Sequence, residues 1–204
     1  MTTPAHIILQ ARRLLADSND NSYVEADLLA FLNEGCQRFA SETHVCQAIT
    51  ALTATSSKVL FSEIVAENTS DLEEVLQVVK VEVVDAAGDY FLDFSPTLEK
   101  TTRKTQDDIA PDRYALFADS IIFNTNTVAT LDLDLNIYHS YKPTEVAISA
   151  ADIAIPAEWE QAIVKYIVFC GLIMVRDSGG ANGALSEYAE LRETAKANVI
   201  ARMG

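Results

Sequence analysis

Asp132 and Asp134 stand two residues apart in an alternating stretch, where a strand would put both carboxylates on one face. That is the arrangement in which hard cations such as Ca²⁺ or Mg²⁺ take oxygen ligands. No glycine-bearing calcium loop surrounds them, and the alternation already accounts for them as the wet side of a strand, so no metal ligand is assigned. His6, His44 and His139 are far apart, and none lies in a His-Glu-x-x-His or Cys-His arrangement that would mark a metalloprotease or a nucleophile with its base. No Gly-x-Ser-x-Gly elbow is present. Gly179, Gly180 and Gly183 follow a helical run instead of a strand and lack the lysine of a phosphate-binding loop. No catalytic residue and no cofactor site is assigned, and the chain reads as a non-enzyme.

What remains are groups suited to contact. Arg12 with Arg13, Arg103 with Lys104, and Arg113 are small basic clusters able to meet an acidic neighbour. Trp159, Tyr166 and Tyr188 are residue types that anchor interfaces, although their helical spacing favours core packing. The candidate partner contacts are therefore Arg12, Arg13, Arg113, Trp159 and Tyr188. Cys36, Cys46 and Cys170 match no zinc or redox spacing and read as core thiols.

The whole chain bounds these options. Its 204 residues, 49% of them hydrophobic, can bury a core without staples. Fifteen basic against 30 acidic residues give a net charge of -15, the reverse of a nucleic-acid footprint. High solubility is the plain reading of that charge. The opening residues lack the basic and apolar regions of a signal peptide, which implies a reducing cytoplasm. The most apolar run, residues 162–175, contains Lys165 and is shorter than a membrane span of ~18 residues, so no membrane contact is expected.

Element signals arrange the chain as α+β. Thr3 caps and Pro4 begins a helix to about Ala16, with Ile7, Ile8, Ala11, Leu14 and Leu15 on one face. A polar turn over residues 17–21 follows. Ser22 and Glu25 have capping-box spacing for a second helix to about Thr43, carrying Leu28, Leu29, Phe31, Leu32, Cys36 and Phe39. The short loop favours an antiparallel helical hairpin. Strand patterns then occupy residues 58–65, 79–83 and 90–94, the last two forming a hairpin; residues 114–117, 120–124 and 128–138 form a meander. Residues 97–108 read as either exposed helix or loop.

Pro156 begins a third helix whose stripe is Trp159, Ile163, Tyr166, Ile167, Cys170 and Met174. Residues 177–183 read as a flexible glycine-rich loop on which the last helix, with Leu185, Tyr188, Leu191, Ala195 and Val199, would reorient on binding a partner. The expected fold is thus a four-helix frame, two helices from each end, with an inserted antiparallel β sheet or small sandwich of five or six strands. Residues 1–44 and 155–204 would form the helical bundle domain and residues 45–154 the insert.

Several short motifs in this order resemble a known family. Ala11-Arg12-Arg13-Leu14-Leu15, Tyr23 and Asp27-Leu28-Leu29-Ala30-Phe31-Leu32-Asn33-Glu34 resemble the opening of head-to-tail connector (adaptor) proteins of tailed bacteriophages. Residues 75–84 resemble that family's first insert strand. Ala110-Pro111-Asp112-Arg113-Tyr114 with Ser120-Ile121-Ile122-Phe123-Asn124 is similar to its middle hairpin, and residues 131–138 to its outgoing strand. Ile155-Pro156-Ala157-Glu158-Trp159 and Ala162-Ile163-Val164-Lys165-Tyr166 resemble its closing helix. The family's Ser or Asp before the second helix is replaced by Val24, and residues 97–108 have no counterpart.

The resemblance implies a non-enzymatic ring of identical subunits, a dodecamer matching the portal. It would dock under the portal protein of a DNA-filled capsid and join it to tail or neck proteins. DNA would pass through the channel without specific binding, and the chain would reside in the virion neck after assembly in the host cytoplasm. Other neck or tail rings, such as a stopper or tail terminator, are expected to be mainly β, which the helical frame disfavours. A small-molecule module or enzyme finds little support in the residues.

Overall fold

The computed structural model describes residues 3–17, 22–68, 72–86, 88–96, 111–124 and 133–203. Two compact units emerge, one of Met1–Cys46 with Lys142–Gly204 and one of Gln47–Tyr141. The α+β class stands, with five α-helices among the described residues.

In the first unit, Thr3 caps α1 (Pro4–Leu14) by accepting a hydrogen bond from the His6 amide at 3.2 Å. Its end is a Schellman turn. Ala16 sits in the left-handed region at φ 55°, and the Asp17 amide donates to the Arg12 carbonyl at 2.9 Å. Helix α2 (Glu25–Thr43) starts without the expected Ser22 cap: its N-cap is Val24, which offers no side-chain bond. The buried Asp17 carboxylate takes the Ser22 and Tyr23 amides instead, at 2.9 and 3.2 Å. Of the expected polar turn, residues 18–21 lie outside the described residues.

The 3-10 turn Ala157–Trp159 leads into α4 (Glu160–Met174). Helix α4 buries Ala162, Ile163, Val164, Tyr166, Ile167 and Val168, so it is apolar nearly all round, as suits a central helix. Both α1 and α2 pack on α4 more extensively than on each other, which corrects the expectation of a self-contained N-terminal hairpin. Gly35 permits this: a Cβ there would lie 2.8 Å from Tyr166 Cδ1. The return segment after Lys142 runs along α2, where Asn33 Oδ1 accepts from the Val146 amide at 2.9 Å and Asn33 Nδ2 donates to the Val146 carbonyl at 3.1 Å.

The glycine-rich stretch is helix, not loop. Helix α5 (Ser178–Met203) begins directly after a second Schellman turn, in which Arg176 has φ 62° and the Asp177 amide donates to the Leu172 carbonyl at 2.9 Å. Asp177 Oδ1 then caps α5 by accepting from the Gly180 amide at 3.0 Å. A Cβ on Gly180 would come 2.7 Å from Asp177 Oδ2 and 3.1 Å from Leu172 Cδ1, so glycine here serves close packing. Residues 178–183, expected as a loop, are thus the first turns of α5.

The second unit holds α3 (Phe61–Glu67) and two four-stranded sheets. The strands are β1 (Gln47–Ala54), β2 (Lys58–Leu60), β3 (Leu72–Val84), β4 (Tyr90–Phe91), β5 (Asp93–Phe94), β6 (Arg113–Phe117), β7 (Ser120–Phe123) and β8 (Leu133–Pro143). Their orders are β1-β8-β3-β4 and β2-β7-β6-β5. The pairs β1–β8, β2–β7, β3–β4 and β6–β7 are antiparallel, whereas β5 runs parallel to β6. Val81, Leu135 and Ile137 of one sheet, Val59 and Ile121 of the other, and Ile64 of α3 share one core.

Four strand expectations change. Residues 58–65 split at Leu60, because Glu63 reaches back to accept the Leu60 amide at 2.9 Å and starts α3. Residues 90–94 split at the buried Leu92, so one extended segment supplies an outer strand to each sheet. The meander breaks up, because β8 leaves β7 and pairs with β1. Strand β1, whose residues gave no clear alternation, is an addition. Leu131, Asp132 and residues 97–108 lie outside the described residues.

Candidate interaction surfaces

Arg12 is 7% exposed and its Nη1 donates to Asp17 Oδ2 at 2.7 Å and to the Tyr23 carbonyl at 3.0 Å. It is therefore a structural cation that holds the start of α2. Trp159 and Tyr188 are 7% and 1% exposed and meet Phe39, each at a ring distance of 6.1 Å. Tyr166 joins them at 5.4 Å from Tyr188. This is the core packing that their helical spacing favours. Arg13 and Arg113 are exposed and make no ion pair among the described residues. Of the four candidates in the helical unit, Arg12, Trp159 and Tyr188 are thus buried and Arg13 is exposed.

His6 hydrogen-bonds Gln10 at 2.7 Å on α1, while His44 occupies the left-handed end of α2 at φ 57°. His139 is buried on β8 with its Nε2 2.8 Å from Thr50 Oγ1. Asn68 Nδ2 already donates to that Thr50 oxygen at 2.5 Å. Burial lowers the His139 pKa, which favours the neutral ring.

Burial pushes the Cys46 thiol up to about 12 and Cys170 up to about 11, and raises Cys36 as well. All three are free thiols, protonated at neutral pH and poor nucleophiles. Asp134 accepts from Thr53 Oγ1 at 2.7 Å. Among the described residues no group of three or more His, Cys, Asp or Glu side chains could hold a metal ion. No helix among them is long and apolar enough to cross a membrane.

What periodicity did not reveal is exposed apolar surface. At the turn end of the helical unit, Leu14, Val24, Ile173, Met174 and Val175 are 50 to 65% exposed. On the β unit, Phe91, Phe94 and Phe117 are 52, 55 and 71% exposed. Lys80 Nζ lies 4.2 Å from the Phe91 and the Tyr138 ring centroids, and Tyr138 donates to Glu82 Oε2 at 3.0 Å. Charge is unevenly divided: Gln47–Tyr141 contains 6 Lys and Arg against 16 Asp and Glu, hence -10 of the total -15.

No curated protein matches the chain. A family model described as SU10 adaptor protein matches residues 2–203. Nearly the whole length is thus accounted for by one family of phage adaptor proteins, in agreement with the resemblance carried by the short motifs. The chain belongs to the SU10 adaptor protein family.

Proposed function

We propose that this protein is a structural head-to-tail connector that assembles as a ring under the portal and joins capsid to tail around the DNA channel. The observation that carries the reading is the adaptor-family match over residues 2–203. Its work is contact, not catalysis. The partners are the portal protein on one side and tail or neck proteins on the other, in a homo-oligomeric ring, taken as a dodecamer to match the portal. The ring sits in the virion neck after assembly in the host cytoplasm.

Within this reading the helical unit, Met1–Cys46 with Lys142–Gly204, packs around the axis, and the β unit, Gln47–Tyr141, presents a second surface. Arg13 and Arg113, the two exposed arginines of the candidate set, meet acidic neighbours. Arg12, Trp159 and Tyr188 act by holding the subunit together. The net charge of -15 gives the channel an acidic wall. Acidic groups within a Debye length of ~10 Å repel phosphate and keep DNA from sticking.

Solution mass measurements with and without purified portal rings test the proposal. Portal-dependent appearance of a closed multi-subunit complex is the expected result. A chain that stays indifferent to portal rings under all conditions overturns it.

A further inference from the structure

We propose that β1 is a pairing edge, and that in the free protein it joins the β1 of a second copy as an antiparallel strand pair across a twofold axis. A cyclic ring contains no such axis, so the contact goes beyond the ring reading and belongs to the subunit before assembly.

Strand β1 closes one side of its sheet, with β8 as its neighbour among the described strands. Its register with β8 is unbroken over eight pairs, from Gln47 opposite Ser140 to Ala54 opposite Leu133. An antiparallel neighbour uses half of a strand's backbone N–H and C=O groups, and the other half point away from it. Among the described residues, no backbone hydrogen bond beyond the sheet engages residues 48–54. Helix α3 meets the strand from the core side, where Asn68 Nδ2 donates to the buried Thr50. Gln47, Ile49, Ala51 and Thr53 face outward and are exposed, Ile49 by 57%.

Edges of this kind are usually blunted by charge, proline, a bulge or brevity. Residues 47–54, Gln-Ala-Ile-Thr-Ala-Leu-Thr-Ala, show none of these, in a chain whose residues are 22% charged. The other outer strands are blunted by length, since β2 has three residues and β4 and β5 have two each. Among the described edges, therefore, the strand able to pair along β1 is another β1, which names a second copy as the occupant.

Parity permits the pair. Outward residues must lie opposite outward residues, so the axis falls at Thr50 or Ala51, and Ile49 then meets Ala51 or Thr53 of the second copy. Charge does not block it locally, because no ionisable side chain stands on β1. Asp134, the one acid on the stretch of β8 opposite β1, stands roughly 20 Å from its counterpart, given strand spacings of ~4.8 Å and a rise of ~3.4 Å per residue. That exceeds a Debye length of ~8 Å. The net charge of -15 repels at long range, so the pair strengthens as salt is added.

Sedimentation of the purified chain over a concentration series gives a monomer–dimer equilibrium that added salt shifts toward dimer. With a short bismaleimide in a Cys170→Ala background, Ala51→Cys cross-links to itself. Gln47→Cys does not, but it joins Thr53→Cys when the two are mixed, as the antiparallel direction requires. Ala51→Lys keeps the melting temperature in dilute solution and raises the dimer dissociation constant about tenfold or more, because like charges then meet near the axis. Mixing Ala51→Lys with Ala51→Glu restores a dimer. A chain that stays monomeric, a dimer weakened by salt, a Gln47→Cys self-cross-link, or a dimer indifferent to Ala51→Lys overturns the proposal. So does slowed hydrogen exchange at residues 48–54 that appears only with portal rings, which gives the edge to a foreign strand. Absence of the dimer leaves the connector reading standing. A dimeric chain missing from virion necks removes that reading and leaves this one.

Discussion

Arg12 and Arg13 are adjacent and chemically identical, yet the fold gives them opposite tasks. Arg12 is inside, bound to Asp17 at 2.7 Å, and Arg13 is outside. Replacing Arg12 with Ala strands a buried carboxylate and should cost about 3–5 kcal/mol in urea unfolding, whereas Arg13→Ala should stay within about 0.5 kcal/mol. Helical spacing alone could not separate them, because the deciding partner, Asp17, lies beyond the helix in the turn. His139 gives a second test at this scale. Its folded pKa lies below the ordinary 6.5, so the unfolded chain binds the proton more readily. Stability from this site is complete above pH 6.5 and falls as pH drops from there through the folded value. His139→Gln should flatten that part of the stability profile; an unchanged slope between pH 7 and 5 would contradict the assignment.

The elements rest on two matched turns, in which a left-handed non-glycine residue is followed by an aspartate: Ala16 with Asp17, and Arg176 with Asp177. A left-handed alanine costs about 1–2 kcal/mol, more than glycine's entropic penalty of about 0.5–1 kcal/mol, so Ala16→Gly should raise stability by about 0.5–1 kcal/mol. Asp177→Ala should remove about 0.5–2 kcal/mol and speed hydrogen exchange over residues 178–184, where a loop would already exchange fast. Gly35→Ala gains helix propensity of about 1 kcal/mol but drives a methyl into the Tyr166 ring, for a net loss of about 1–2 kcal/mol in thermal melts.

These same residues explain what the sequence could and could not convey. Thr3-Pro4 and the alternating β8 were legible because cap and periodicity act locally. The start of α5 was not, because glycines normally signal a loop and only the Asp177 cap and the closeness of Leu172 make them helical. The division of residues 90–94 between two sheets was hidden for a related reason, since pairing is decided by strands distant in sequence. Site residues fared less well: helical spacing placed Leu14 and Met174 on core faces, and nothing in it told where the cover would end.

At the scale of the whole molecule, the adaptor family places a chain with exposed apolar groups on both units and two-thirds of its net charge on Gln47–Tyr141 among proteins of the phage particle. Solubility and contact pull on the same surface: the net charge favours solution, and the exposed apolar groups favour burial against a partner. The most direct measurement is an image of the virion neck at side-chain resolution. It should contain a closed ring of this chain between portal and tail, with Asp and Glu outnumbering Lys and Arg along the channel. A neck without this chain would contradict the connector role, and a channel lined mainly by Lys and Arg would contradict the account of its charge.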